Sequence, residues 1–159
     1  VIVSGYSNLV DNYETRVKGD RLILEMNNRF WNIKNDNIRV EVHTPYVDDV
    51  SLNGSGDVMV YSGFMQDNFE AGINGSGNIT VSNNVYKNIS VNVNGSGNCN
   101  METSESERAS VKISGSGDIY VKVSDYLNVR ISGSGNVYYR GRPTIDSEIS
   151  GSGKVQQRN

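Results

Sequence analysis

Hydrophobic and polar residues alternate along most of this chain with a period of two, as in a β-strand that buries one face. The alternation is clearest on either side of a tripeptide, Gly-Ser-Gly, that recurs from residue 54 onward. Two residues before each tripeptide stand Leu52, Ile73, Val93, Ile113, Ile131 and Ile149. Two residues after it stand Val58, Ile79, Cys99, Ile119, Val137 and Val155. The pattern predicts short strands on both sides of a shared corner.

The tripeptides recur at nearly constant spacing. Spacings of 18 to 21 residues indicate an internal repeat, in which each copy buries its apolar face against the next. Glycine at both ends of the corner allows positive φ or close backbone approach. The sequence therefore predicts an all-β fold, a single-stranded right-handed β-helix (β-solenoid) built from coils of 18–21 residues with Gly-Ser-Gly corners. The corners begin at Gly54, Gly75, Gly95, Gly115, Gly133 and Gly151.

Composition agrees with strands and argues against several classes of protein. The 159 residues are only 36% hydrophobic, yet the β-branched residues that disordered chains lack are plentiful. The net charge is -3 and no dense Lys/Arg run occurs, so a nucleic-acid partner is not expected. A single cysteine, Cys99, excludes an intrachain disulfide and a cysteine-based zinc cluster. No apolar run approaches the ~18 residues of a membrane helix, and no cofactor is expected.

We predict one continuous domain with two parts. Residues 1–45 are assigned to lead-in strands and the N-terminal coil or coils, and residues 46–159 to the six-repeat solenoid. The chain opens directly in Val1-Ile2-Val3, so any secretion leader is expected to have been removed or to precede this sequence. This uncharged N-terminal edge is expected to pair with preceding residues or to self-associate with another copy. Residues 29–33 are expected to cap the core near that end.

The repeats resemble those of a known family, the putative auto-transporter adhesins with a head GIN domain, which are common in Bacteroidetes. The resemblance rests on recurring I-[NS]-G-S-G-[DN]-[VI]-x-V units, including Gly72-Ile73-Asn74-Gly75-Ser76-Gly77. Val40-Glu41-Val42-His43-Thr44-Pro45 is similar to the family's strand entering the first repeat, and residues 135–143 are similar to its closing V-x-Y-x-G-x-P segment. Upstream, Ser7-Asn8-Leu9 and residues 17–24 resemble its lead-in strands.

The resemblance implies a β-helix-like fold and an exported protein. The expected location is the periplasm, the outer-membrane surface or the outside of the cell, as a lipoprotein or a freely secreted protein. The family offers no established catalytic residues that could be carried over to this sequence.

Few residues could carry catalysis. A Ser-His-Asp or Cys-His site would need the sole histidine, His43, which alternates with valines and is expected to face solvent. Cys99 stands in an aliphatic column, so we interpret it as a core residue. Asp57 and Asp118 are three coils apart, about 14 Å at strand spacing, beyond the ~5–9.5 Å of glycosidase carboxylate pairs. Further carboxylates are expected in surface loops: Asp48, Asp49, Glu102, Glu105 and Glu107.

Polar side chains flank every corner. Gly54-Ser55-Gly56-Asp57 superficially resembles the calcium-binding nonapeptide repeat, but calcium needs several hard oxygen ligands and the Asp position becomes Lys154 in the last coil. We therefore predict hydrogen bonds between stacked side chains, and no metal site. One such column is Asp57, Asn78, Asn98, Asp118, Asn136 and Lys154. The other is Asn53, Asn74, Asn94, Ser114, Ser132 and Ser150.

One outward-facing cluster, in the fourth and fifth coils, is a candidate ligand-binding surface. Tyrosines on adjacent strands, ~4.8 Å apart, would form an aromatic platform bordered by cations. Such a surface suits an acidic glycan or an acidic partner protein. The alternative is an ordinary solvated sheet face stabilised by cross-strand pairs. The cluster places Lys112 beside Arg130, Tyr120 beside Tyr138, and Lys122 beside Arg140.

The sequence as a whole favours a non-enzymatic cell-envelope or surface module with an adhesin-like binding or structural role. Its expected partner is a glycan or a cell-surface protein. Two alternatives are a polysaccharide-acting enzyme of the β-helix type and a structural scaffold that assembles end to end. An acidic cleft on one face would favour the enzyme, a smooth polar exterior the module, and concentration-dependent filaments the scaffold.

Overall fold

The protein's computed structural model describes residues 1–27, 37–61, 63 and 65–159. Two compact units are present, Val1–Pro45 and Tyr46–Asn159, and each is described here by itself. The predicted cap at residues 29–33 lies outside the described residues. The assignment of the chain to one continuous domain stays a prediction.

The first unit contains antiparallel strands. β1 pairs with β4, and β2 pairs with β3 across a turn in which Gly19 adopts φ 62°. Because β4 occupies one edge of β1, the predicted self-association would have to use the other edge, and it stays a prediction. In chain order the elements are β1 (Ile2–Ser4), α1 (Ser7–Val10), β2 (Tyr13–Lys18), β3 (Arg21–Met26) and β4 (Arg39–Glu41).

The helical turn α1 corrects one expectation. Ser7-Asn8-Leu9 resembles a lead-in strand of the family, but here the carbonyl of Tyr6 accepts hydrogen bonds from the N–H groups of Leu9 and Val10, both at 2.9 Å. Short polar side chains such as those of serine and asparagine favour this local bonding over a strand ladder. Within the described residues, no helix is long and apolar enough to cross a membrane.

The second unit is the β-solenoid that the repeat predicts, with about five turns of stacked parallel coils. Each coil runs through one strand, a Gly-Ser-Gly corner, a second strand and a segment that returns the chain to the first stack, which we call the far turn. In β10 and β11 this segment stays within the strand and is marked only by register shifts. The strands are β5 (Asp49–Gly54), β6 (Asp57–Tyr61), β7 (Met65–Gly75), β8 (Asn78–Ser82), β9 (Val85–Gly95), β10 (Asn98–Gly115), β11 (Ile119–Gly133), β12 (Val137–Arg140), β13 (Thr144–Gly151) and β14 (Val155–Gln157).

The strands form two parallel stacks, one on each side of the corner. The pre-corner stack runs β5, β7, β9, the second halves of β10 and β11, and β13. The post-corner stack runs β6, β8, the first halves of β10 and β11, β12 and β14. Both stacks are in register at the corner. The first glycine of each corner pairs with its counterpart one coil on, and the inward residues that follow the corner pair in the same way. Every outward position therefore lies beside the same position of its neighbours.

The inward columns form one continuous apolar core, as the alternation predicts. Cys99 is among its fully buried members, at 0% exposure. Full burial of each aliphatic side chain in these columns stabilises the folded chain by ~1.5–3 kcal/mol. In the last coil, Ile149, which belongs to the inward column just before the corner, is 42% exposed.

The corner glycines are required by the stacking itself. The carbonyl of Gly75 accepts hydrogen bonds from the N–H of Ser96 at 2.9 Å and from the N–H of Gly97 at 3.1 Å. The first glycine of each tripeptide has φ between 121° and 135°, which side chains rarely tolerate. A Cβ on Gly97 would meet the carbonyl oxygen of Gly77 and would lie 2.8 Å from a methyl carbon of Ile73. The coils can therefore approach closely only where both corners lack side chains.

The far turn absorbs the variation in coil length. Met101 pairs with Val121, twenty residues on, whereas Arg108 pairs with Tyr126, eighteen residues on. The register shifts lie between these two pairs, and the corner on either side stays aligned. Buried hydroxyls support this turn, since Ser104 Oγ donates to the carbonyl of Val81 at 3.0 Å.

Candidate ligand-binding surface

Two tyrosines stack on the outward face of the post-corner stack. Tyr120 in β11 lies opposite Tyr138 in β12, with ring centroids 4.9 Å apart and an angle of 14° between the rings. Parallel strands in register place equivalent positions about 4.8 Å apart, which matches the spacing of stacked rings. The structure thus places the pair as the alternation predicts, and both side chains are half-buried. Their ligand-binding role stays a prediction.

Arg158 lies beside this tyrosine pair. Its guanidinium carbon is 5.5 Å from the Tyr120 centroid and 5.8 Å from the Tyr138 centroid. Because these distances are nearly equal, the guanidinium lies alongside the pair and not beyond its outer ring. The sequence interpretation missed this contact, although Arg158 occupies the same position after its corner as Lys122 and Arg140. Following that column into the last coil would have found it.

The predicted cationic border is largely paired with carboxylates. Lys122 Nζ lies 2.6 Å from a carboxylate oxygen of Glu105, and Arg140 Nε lies 3.0 Å from one of Glu102. Arg158 also reaches Glu102, at 3.5 Å. These carboxylates were expected in loops, but both lie at the far turn, where β10 continues as a strand with register shifts, and Glu102 is only 19% exposed. Ion pairing leaves less positive charge around the tyrosines than the sequence suggested.

The other two predicted cations belong to a different face. Lys112 lies opposite Arg130 in the pre-corner stack, on the other side of the Gly-Ser-Gly corner from the tyrosines. Arg130 forms ion pairs with Asp146 at 3.5 Å and with Glu148 at 3.1 Å. The structure therefore brings together four of the six predicted site residues, Tyr120, Tyr138, Lys122 and Arg140.

A shallow depression of about 430 Å³ lies next to Tyr120 on the same face. It runs along the solenoid axis across four coils. It is deepest in the middle two, because the side chains of Thr80 and Asn100 are shorter than those of Met59 and Tyr120 at the same position in the coils on either side. This contrast of size along one outward column was visible in the sequence, but only the tyrosines were singled out. Outward side chains that line it are Asp57, Met59, Asn78, Thr80, Asn98, Asn100, Asp118 and Tyr120.

The predicted ladder of polar side chains forms the edge of this depression. Asn78 donates to Asp57 at 2.8 Å, and Asn98 donates to Asn78 at 3.0 Å. The backbone N–H of Asp118 then donates to the side-chain oxygen of Asn98 at 2.9 Å. The asparagine part of the second ladder forms too, with Asn94 donating to Asn74 at 3.0 Å. Among the described residues, no group of three or more His, Cys, Asp or Glu side chains is arranged to hold a metal ion.

Comparison with known proteins places this arrangement in a family. The model of the family described as "Putative auto-transporter adhesin, head GIN domain" matches residues 1–98 and 85–143. The chain belongs to this family. No functionally curated protein matches the sequence.

Solved structures of similar fold include proteins from Bacteroidetes. A putative adhesin from Bacteroides fragilis superposes with a TM-score of 0.76 at 20% identity, covering 98% of this chain and 81% of that one. A putative adhesin from Parabacteroides distasonis gives 0.60 at 17% identity, covering 98% and 82%. A putative lipid binding protein from the same organism gives 0.58 at 21% identity, covering 99% and 83%. At these identities the likeness shows the fold alone.

Burial and neighbouring charges shift the pKa values of Cys99 and Tyr120. Burial raises the pKa of the Cys99 thiol to about 12, so the thiol is protonated at neutral pH. The pKa of Tyr120 is raised, first by partial burial and then by the carboxylates and phenol near it, whereas Arg158 lowers it. His43, in the first unit, is exposed as expected, but Val42 beside it is exposed as well, so the expected alternation of buried and exposed residues is not seen there.

Proposed function

We propose that this chain is a non-enzymatic binding module of an exported cell-envelope protein, and that it binds glycans through the outward face around Tyr120 and Tyr138. The stacked tyrosine pair carries the proposal. Aromatic rings offer flat apolar surface with a polar tip, and sugar rings pack their C–H faces against such surfaces.

Rigidity supports this assignment. Both tyrosines lie on strands within a parallel stack, and Arg158 contacts the two rings from the side. A surface that is already ordered before binding loses little conformational entropy when the ligand arrives. The family assignment and the names of the structural neighbours as adhesins support an exported protein that acts at the cell envelope.

The depression beside Tyr120 contains two carboxylates, those of Asp57 and Asp118, but their separation weighs against an enzyme. Asp57 and Asp118 lie three coils apart in one ladder, about 14 Å at strand spacing, too far for the carboxylate pair of a glycosidase. Each carboxylate accepts a hydrogen bond from a ladder asparagine. The thiol of Cys99 is buried and protonated, so it is a poor nucleophile.

A glycan array probed with the purified chain tests the proposal. The array should hold neutral and acidic glycans and should be run with and without calcium. We expect retained glycans that are lost in the double variant Tyr120→Ala/Tyr138→Ala. Tyr126→Ala is the matched control, because Tyr126 is also a partly exposed tyrosine of β11 but lies in the pre-corner stack. A blank array would overturn the proposed function, and hits that survive the double variant would overturn the proposed surface.

A further inference from the structure

We infer that the ligand of this face is an uncharged oligosaccharide seated in the depression beside Tyr120, an inference that rests on the proposed glycan-binding function. The depression lies on the solenoid's post-corner stack and is lined by side chains of four successive coils. Three observations carry the inference: the shape of the depression, its charge and its spare hydrogen-bonding groups.

The shape is that of a trough with an apolar wall at each end. Tyr138 covers one face of the Tyr120 ring, and the opposite face borders the depression. At the other end stands Met59, which is 63% exposed, three coils away and therefore about 14 Å along the axis. The shorter Thr80 and Asn100 form the floor between these walls. Sugar rings have apolar faces and hydroxyl-rich edges, which match apolar walls and a polar floor.

The charge of the trough favours an uncharged ligand. The carboxylates of Asp57 and Asp118 line the trough. Among the described residues, no lysine or arginine lines it. The two arginines beside the tyrosine pair, Arg140 and Arg158, form ion pairs with Glu102, which does not line the trough. An acidic glycan would therefore meet repulsion that an uncharged glycan does not. The acidic ligand that the sequence suggested fits this trough poorly.

Polar groups in the trough are held in place and retain bonding capacity. The side-chain oxygen of Asn100 accepts from the N–H of Glu102 at 3.0 Å, which orients its amide so that the –NH₂ group is available as a donor. The carboxylate of Asp118 takes both bonds from Asn136 on one oxygen. Its second oxygen, which has no hydrogen bond among the described residues, can accept from a sugar hydroxyl.

Filling the trough provides the test. In Asn100→Tyr, a third ring would stand beside Tyr120 and occupy the space where the sugar would lie. This outward position tolerates an aromatic residue, because aromatic pairs between neighbouring strands stabilise sheets. Ser110→Tyr is the matched control, since Ser110 is an exposed residue of the same strand in the pre-corner stack. Thr80→Tyr fills the trough one coil away and serves as the second variant if Asn100→Tyr folds poorly.

The measurement is the dissociation constant for short neutral oligosaccharides and for matched uronic-acid oligosaccharides, at low and high salt. We expect neutral ligands to bind independently of salt, and at least tenfold more weakly to Asn100→Tyr, with Ser110→Tyr unchanged. Binding restricted to acidic ligands, or neutral binding that Asn100→Tyr and Thr80→Tyr leave intact, would overturn this inference while the proposed glycan-binding function stands. A chain that binds none of the oligosaccharides and no glycan on the array would overturn both.

Discussion

Asn136 donates two hydrogen bonds to the same carboxylate oxygen of Asp118, from its backbone N–H at 2.8 Å and from its side-chain amide at 3.0 Å. This double contact joins the fourth and fifth coils just after their corners. We expect Asp118→Ala to lower the free energy of unfolding by about 1–3 kcal/mol, because both donors lose a charged acceptor. Asp118→Asn keeps an acceptor oxygen and should cost clearly less. Urea unfolding midpoints compare the variants, and equal losses would contradict the role given to this oxygen.

The corner glycines allow a matched pair of substitutions. Gly97→Ala should destabilise the fold by about 1–3 kcal/mol or more, because its Cβ would meet the carbonyl oxygen of Gly77 in the preceding coil. Gly56→Ala is the control at the same position of the first corner, where the nearest atom to the new Cβ is a methyl carbon of Leu52 at 4.0 Å. Thermal unfolding of both variants decides the point. Similar melting temperatures would show that stacking does not require these glycines.

The free energy of unfolding at alkaline pH should depend on the buried thiol of Cys99. The pKa of Cys99 rises from 9.0 to about 12 in the folded chain, so above pH ~9 the unfolded chain loses this proton while the folded chain keeps it. Folding stability should therefore fall as pH rises between these values, by about 1.4 kcal/mol per pH unit from this group. Cys99→Val, which restores the aliphatic residue of the column, should unfold with a shallower alkaline slope. Identical alkaline slopes for the unchanged chain and Cys99→Val would contradict a raised pKa of Cys99 in the folded chain.

The phenol of Tyr120 reports on its neighbours. Arg158 lowers its pKa and the carboxylate of Asp118 raises it, although partial burial is the larger cause of the overall increase. Arg158→Gln should thus move the titration of Tyr120 to higher pH, and Asp118→Asn should move it to lower pH. Ring resonances followed by NMR separate this tyrosine from the others. Shifts in the same direction for both variants would exclude the contact geometry described for Arg158.

The corner and its ladders could be predicted because the tripeptide fixes the register. Once Gly75 and Gly95 are aligned, the side chains beside them, such as Asn74 and Asn94, must also lie side by side. The far turn could not be predicted in the same way. No common motif marks it, and its length differs between coils, so the sequence did not show that Ser104 and the aligned Asn84 would be buried.

The candidate surface was predicted only in part. Alternation places Tyr120 opposite Tyr138, but it does not show which charges face each other along the strand and across coils. The pairs between Glu102 and the two arginines Arg140 and Arg158 depend on side-chain reach over neighbouring coils. Alternation also cannot show that Lys112 lies on the far side of a corner that changes the direction of the chain.

The far turn also shows where the molecule could accept added sequence. Between the pairs Met101–Val121 and Arg108–Tyr126, the spacing between neighbouring coils falls from twenty residues to eighteen, and the corner register is unaffected. An epitope tag or a short foreign loop inserted at a far turn would therefore leave the other side of the coil intact. The same insertion at a corner would separate the glycines of neighbouring corners, whose close contact the stacking of coils requires. A graft for purification, labelling or display belongs at the far turn.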